Sequence, residues 1–339
     1  MVFDVEEIRR VLHLYQIIPQ SITKVTDHVY KIYDGHHYYA LKKSVLTSDT
    51  VRGWEFVYHQ AHHLYLPDVL PVLMPKSRKL YVEYAGHIYY LSPWIEQREY
   101  RLTALFHAIG YIHAKTKRSY RLDQEKDLVR MFTQYKEHCQ QHEQKWLAYI
   151  DLFEQKRYMS PFDLQVCTHF REISVVFQVL YERIDAFLDL MKEEEKWSYS
   201  LCHGNLRCSH FLYDQKGYLI NWEHARFEHP IVDLSRFFKQ EIIESQLSPD
   251  SMIEAFSVYM EENKLQLSEL YLLIIYLLDP AHYMRQVQSY VDRPKYDSMI
   301  NQVIPLEPIL RQLQFGLQFS EHVKDTYEFL IFDEDLESL

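Results

Sequence analysis

Residues 201–237 read LCHGNLRCSHFLYDQKGYLINWEHARFEHPIVDLSRF, and this stretch decides the fold. Phe211-Leu212-Tyr213 and Tyr218-Leu219-Ile220 are short strand-like runs. Asp214-Gln215-Lys216-Gly217 between them has turn chemistry, with Gly217 able to take a positive φ. The predicted hairpin is preceded by His203-Gly204-Asn205 and runs into Asn221-Trp222-Glu223. Asp233-Leu234 follows downstream.

In order and spacing this stretch resembles the catalytic core of the aminoglycoside phosphotransferase and choline kinase group. That core reads HGD, four residues, Asn, a short hairpin, IDWE, and a later D-L. The resemblance implies an α+β, two-lobed protein-kinase-like fold. A small lobe of antiparallel sheet plus helix would span residues 1–95, and a large, mostly helical lobe 96–339. It also implies ATP and Mg²⁺ as cofactors and a small-molecule ligand in the interlobe cleft. Carried over, the family's catalytic aspartate falls on Asn205. Its metal-binding asparagine falls on His210 and its metal-binding aspartate on Asn221. Asp233 matches the aspartate that braces the catalytic loop, and His203 has a similar structural role.

Three of these positions depart from what the chemistry needs. Phosphoryl transfer requires a group that orients the attacking hydroxyl and accepts its proton, together with Mg²⁺ bridging the phosphates. Asn205 can accept a hydrogen bond but not a proton near neutral pH. Loss of a general base costs roughly 10²–10⁴-fold in rate. Asn221 is neutral where Mg²⁺ sites rely on carboxylates. His210 offers nitrogen, which suits softer metals than magnesium. Glu223 and Asp214 are the nearby carboxylates that could rebuild a metal site.

Toward the N-terminus, Val5, Ile8, Val11, Leu12 and Tyr15 share one face of a helix predicted within residues 1–20. Val29–Tyr33 and Tyr38–Leu41 flank Asp34-Gly35, a hairpin signal. Tyr39-Ala40-Leu41-Lys42 resembles the V-A-I-K strand of kinases, which makes Lys42 the phosphate-contacting lysine. Lys43 points to the opposite face, so register decides between the two. Glu55, on a helix from Arg52 to about Tyr65, is the expected partner of that lysine. A second hairpin around Ala85-Gly86-His87 leads to Ser92–Glu96. There the family places its hinge, so the backbone at Trp94 and Ile95 would receive an adenine. The loop expected to cover phosphates, Thr23–His28, contains no glycine. Backbone N–H groups approach phosphates most closely where glycine permits it.

Beyond Arg98 the pattern is helical. Leu105, Ile109, Ile112 and His113 resemble a family helix, and His113 is read as structural. Residues 123–160 are polar and helical, with His138, Cys139 and His142 at helical spacing but without a third-ligand pattern. Val176, Leu180, Ile184, Phe187 and Met191 form an amphipathic stripe. Residues 241–330 are again helical, with Leu270–Leu278 as the buried member. The acidic tail from Asp333 is expected to fray.

At 339 residues the chain can bury a substantial core. A formal net charge of −11 speaks against a nucleic-acid partner. The four cysteines form no C-x-x-C pair, so no zinc or disulfide framework is expected. Cys202 and Cys208, beside the altered loop, are read as packing residues. No apolar run approaches the roughly 20 residues needed to cross a bilayer. Acidic residues stand where a signal peptide would be basic, so cytoplasmic synthesis is expected.

Within the group, the helix-rich large lobe, the abundance of Tyr and His, and the altered loop are most similar to the CotS-like, YutH-type spore-coat branch. That resemblance implies synthesis in the mother cell, deposition on the spore, and other coat proteins as partners. Two functions compete: a catalytically impaired kinase-like protein with a binding or structural role, and an active phosphotransferase whose metal carboxylate is displaced to Glu223 or Asp214. A third reading is a sensor that binds nucleotide without metal.

Overall fold

The computed structural model describes residues 5–99, 101–121, 125–192, 196–245, 247–292 and 298–328. The acidic tail from Asp333 lies outside them. The chain divides into two compact units, Met1–Lys117 with Ser200–Glu228, and Arg118–Tyr199 with His229–Leu339.

The first unit is built on a five-stranded antiparallel sheet. Its strands are β1 (Ser21–Lys24), β2 (Val29–Tyr33), β3 (Tyr38–Ser44), β4 (Val82–Tyr84) and β5 (His87–Pro93), in the order β1-β2-β3-β5-β4. Helix α1 (Val5–Leu14) sets Ile8, Val11 and Leu12 against Tyr30, Ile32, Leu41, Tyr89 and Leu91. It is shorter than the predicted run. Gln16, with φ 63°, turns the chain, and Ile17 N–H donates back to the Leu12 carbonyl. Helix α2 (Val51–His63) places Trp54 against Tyr90, with ring centroids 4.9 Å apart.

Helix α3 (Leu102–Thr116) ties this sheet unit to the motif-bearing stretch. Ser200 Oγ donates to the His113 carbonyl at 2.9 Å, and Leu201 N–H donates to Thr116 Oγ1 at 2.9 Å. His113 is fully buried, in a structural setting. Strand β7 (Lys196–Cys202) pairs through Ser200–Cys202 with β10 (Arg226–Glu228). The predicted hairpin is present as β8 (Phe211–Tyr213) and β9 (Gly217–Leu219). Gly217 is not at positive φ as expected. It is needed because a Cβ there would lie 2.2 Å from the Phe211 ring. Leu219 exchanges backbone hydrogen bonds with Asp68 and Leu70, at 2.7 and 3.2 Å, fixing the hairpin to the preceding loop.

The second unit is mostly helical. Strand β6 (Arg118–Arg121) pairs with Lys196–Tyr199. The helices are α4 (Glu125–Glu154), α5 (Pro161–Thr168), α6 (Phe170–Met191), α7 (Pro230–Glu244), α8 (Pro249–Glu262), α9 (Leu267–Leu277), α10 (Ala281–Asp292), α11 (Met299–Val303) and α12 (Leu306–Val323). Apolar α9 sits at the centre, against α6, α7 and α12. Gly316 lets α12 approach it closely, since a Cβ would lie 2.8 Å from Leu278 Cδ2. Helix α5 begins at a capping box in which Ser160 and Asp163 satisfy each other's backbone N–H groups. Asp233 lies in the first turn of α7, fully buried. Among the described residues no helix is long and apolar enough to cross a membrane.

Candidate functional site

Strand pairing sets the two lysines on opposite faces. The β3–β5 register puts Lys42 opposite Tyr90 and Lys43 opposite Tyr89. Lys43 Nζ is 3.4 Å from Glu7 on α1. Lys42 Nζ lies 2.6 Å from Glu223 Oε1 and donates to Asn221 Oδ1 at 2.5 Å. Glu223 Oε1 also accepts from the Tyr90 hydroxyl at 2.9 Å and from Ser44 Oγ at 3.3 Å. The Glu223 side chain is only 4% exposed. Burial pushes its carboxyl up. The Lys42 ammonium and the hydrogen bonds it receives outweigh this, so its pKa sits below the ordinary glutamate value. Burial, with the Glu223 charge, pushes the Tyr58 and Tyr90 phenols up, so both stay protonated.

Glu55, expected to pair with the lysine, does not. Among the described residues its side chain makes no hydrogen bond or ion pair. The side chains that α2 buries toward this region are Trp54 and Tyr58, and the lysine's counter-ion is Glu223 instead.

The loop at 203–210 is locked from within. His203 is fully buried, and its Nε2–H donates to the Ile220 carbonyl at 2.8 Å. Its Nδ1 accepts the Asn205 N–H at 3.3 Å, which fixes the tautomer. Gly204 takes φ +77°, and a Cβ there would meet the His224 carbonyl oxygen at 2.0 Å. Asn205 Oδ1 accepts from Arg207 Nε at 3.3 Å. His210 donates through Nδ1–H to the Asn205 carbonyl at 2.9 Å. Burial, then the neighbouring His203, Lys42 and Arg207, push the His210 imidazole down to about 4, so it is neutral at pH 7. Asn221 itself is left-handed, with φ 66° and ψ 50°, a conformation that Asn and Asp tolerate better than other side-chain-bearing residues.

These groups border a cavity of about 420 Å³. Val29, Ala40, Trp94, Ile95, Leu212 and Ile220 give it apolar walls, with Lys42 and Asn221 among the polar groups. The size is within the usual range for small-molecule sites. Trp94 N–H is spent on the Tyr38 carbonyl at 3.0 Å, and Lys31 lies over the indole while pairing with Glu96. The β1–β2 loop is also self-satisfied. Val25 and Thr26 N–H groups donate to the Val29 carbonyl, and His28 and Val29 N–H groups to Thr26 Oγ1. Asp27 is held by Lys24 at 2.6 Å. Four backbone donors that could have faced phosphates are thus committed within the loop.

The residues present do not fit Mg²⁺. The Asn221 oxygen faces an ammonium, His210 contributes only nitrogen, and Glu223 Oε1 is shared among Lys42, Tyr90 and Ser44. Asp214 is at the hairpin turn, paired with Arg98 at 2.7 Å. Sequence reading had placed Lys42, Asn221, Glu223, Trp94 and Ile95 in one site, and the structure brings them together. It had not identified Tyr90, Ser44 or Arg207. Tyr90 could have been found from the strand pairing that sets it opposite Lys42.

No protein-family model matches the chain, and no curated protein matches it in sequence. Solved structures match it in fold. An aminoglycoside phosphotransferase from Alicyclobacillus acidocaldarius aligns with 95% of this chain and 96% of its own, with TM-score 0.69 and 17% identity. The AMP-bound spectinomycin phosphotransferase covers 93% of this chain and 99% of its own, at TM-score 0.52 and 11% identity. The amicoumacin kinase hAmiN, solved with AMP-PNP and Ca²⁺, covers 94% of each chain, at TM-score 0.50 and 17% identity. The chain therefore has the protein-kinase-like fold of aminoglycoside phosphotransferases.

Proposed function

We propose that this chain is a kinase-fold protein that has given up Mg²⁺-dependent phosphoryl transfer. It keeps the cavity beside Trp94 and Ile95 as a metal-independent binding site. The observation that carries this reading is the Lys42 ammonium seated against both Asn221 and Glu223. A cation already occupies the position where a metal ligand set would be needed, and Asn205 supplies no base. The AMP and AMP-PNP held by proteins of the same fold make an adenine nucleotide the first ligand to try. We read the altered loop, which resembles that of the spore-coat branch, as pointing to a binding or structural role in the coat, with other coat proteins as partners.

The rival reading, a metal held by Glu223 or Asp214, would have to use a carboxylate already paired with Lys42 or Arg98. The test is a sensitive phosphoryl-transfer assay with Mg·ATP and a panel of hydroxyl acceptors. No transfer above the hydrolysis background is expected. Reproducible transfer that Asn221→Ala abolishes overturns the proposal. Imaging a fluorescent fusion in sporulating cells tests the coat assignment, and signal confined away from the spore contradicts it.

A further inference from the structure

One motif lies apart from this site, on the long helix α4. His138 and His142 are one turn apart, and their rings meet edge to face with centroids 4.3 Å apart. Their Nε2 atoms are 3.2 Å from each other. We propose that this pair is a binding site for a borderline divalent transition ion such as Zn²⁺, Ni²⁺ or Cu²⁺.

The separation is what such an ion requires. Two imidazole nitrogens 3.2 Å apart, each at a bond length of about 2.0–2.1 Å, subtend about 100° at the metal, close to the tetrahedral angle. Two neutral imidazoles suit these ions and not Mg²⁺. Without a metal, the same approach can be satisfied by one N–H···N hydrogen bond, and a metal uses both lone pairs instead. His138 is exposed and His142 half-buried, so an ion can enter from solvent. Neighbouring donors are otherwise engaged: Cys139 is buried, and Glu143 accepts from the Tyr181 hydroxyl at 2.8 Å. The site therefore supplies two protein ligands and leaves the remaining positions to water or an exogenous donor. It is an exchangeable site, not a closed structural one.

The experiment is calorimetric titration of the full chain with Zn²⁺, using Mg²⁺ as control, on the natural protein and on His138→Ala. His138 is on the surface, so its replacement leaves the fold intact, and circular dichroism verifies this. The expected result is saturable Zn²⁺ binding that weakens by about tenfold or more in the variant, with no Mg²⁺ heat. A Cu²⁺ complex should show coupling to two imidazole nitrogens in the natural protein and one in His138→Ala. Because the chain has 19 histidines, an unchanged isotherm and spectrum in the variant would mean the metal binds elsewhere. That result, or no saturable binding at all, overturns the proposal.

Discussion

Lys42 Nζ and Glu223 Oε1 lie 2.6 Å apart, joining the third strand of the sheet to the short turn after the β8–β9 hairpin. Glu223 is nearly inaccessible to water, so each charge depends on the other. Removing one member of a buried pair costs about 3–5 kcal/mol, and the partial exposure of Lys42 trims this to about 2–4 for Glu223→Gln. Lys42→Met should cost more, because it strands the more deeply buried charge. Denaturant unfolding of both variants checks the size and the order. A Glu223→Gln protein within about 0.5 kcal/mol of the natural one would show that the pair is not a structural element.

His210 gives the fold an acid sensitivity. Its imidazole is pushed from 6.5 to about 4 in the folded protein, so the unfolded chain binds the extra proton first. Stability is therefore complete above pH 6.5 and falls as pH drops toward 4, by on the order of 2–3 kcal/mol. Glu223, whose carboxyl is depressed, loses its contribution in the same direction but at lower pH, beginning below its ordinary value of 4.5. His210→Asn should flatten the upper window only. The check is unfolding free energy against pH for both proteins, reading their difference so that other histidines cancel. A difference that stays constant across that window counts against the buried neutral imidazole.

Two glycines should respond oppositely to alanine. Gly204 combines φ +77° with the His224 carbonyl oxygen 2.0 Å from where a Cβ would stand. Gly204→Ala should lose about 2 kcal/mol or more, or fail to accumulate as folded protein. Gly53 lies within α2 with nothing within 4 Å of a Cβ. Gly53→Ala should gain about 0.5–1 kcal/mol. Thermal melts of the two variants distinguish a loop held by close backbone approach from one that is merely flexible.

Much of the fold is legible in the sequence itself. Residues 201–237 announced the fold because the order of loop, hairpin and tryptophan turn is specific, although both aspartates are gone. Asp34-Gly35 and Ala85-Gly86 marked hairpins because glycine there takes a positive φ, at 105° and 75°. Less local facts were hidden. Glu55 was a reasonable partner for Lys42 on a family template. Which helix face turns inward depended on Trp54 and Tyr58 packing near Tyr90, which no window of sequence contains. The pairing of β7 with β10 involves only three residues on each side and closes around the intervening β8–β9 hairpin. The role of Thr26 in tying up the β1–β2 loop depended on backbone geometry.

The most direct test of the central claim is calorimetric titration of the purified protein with ATP, with and without Mg²⁺. The account predicts that the two isotherms overlay, because Asn221 carries no charge and Glu223 is already paired with Lys42. ATP binding that tightens by about tenfold or more in Mg²⁺, a difference of about 1.4 kcal/mol, would contradict it.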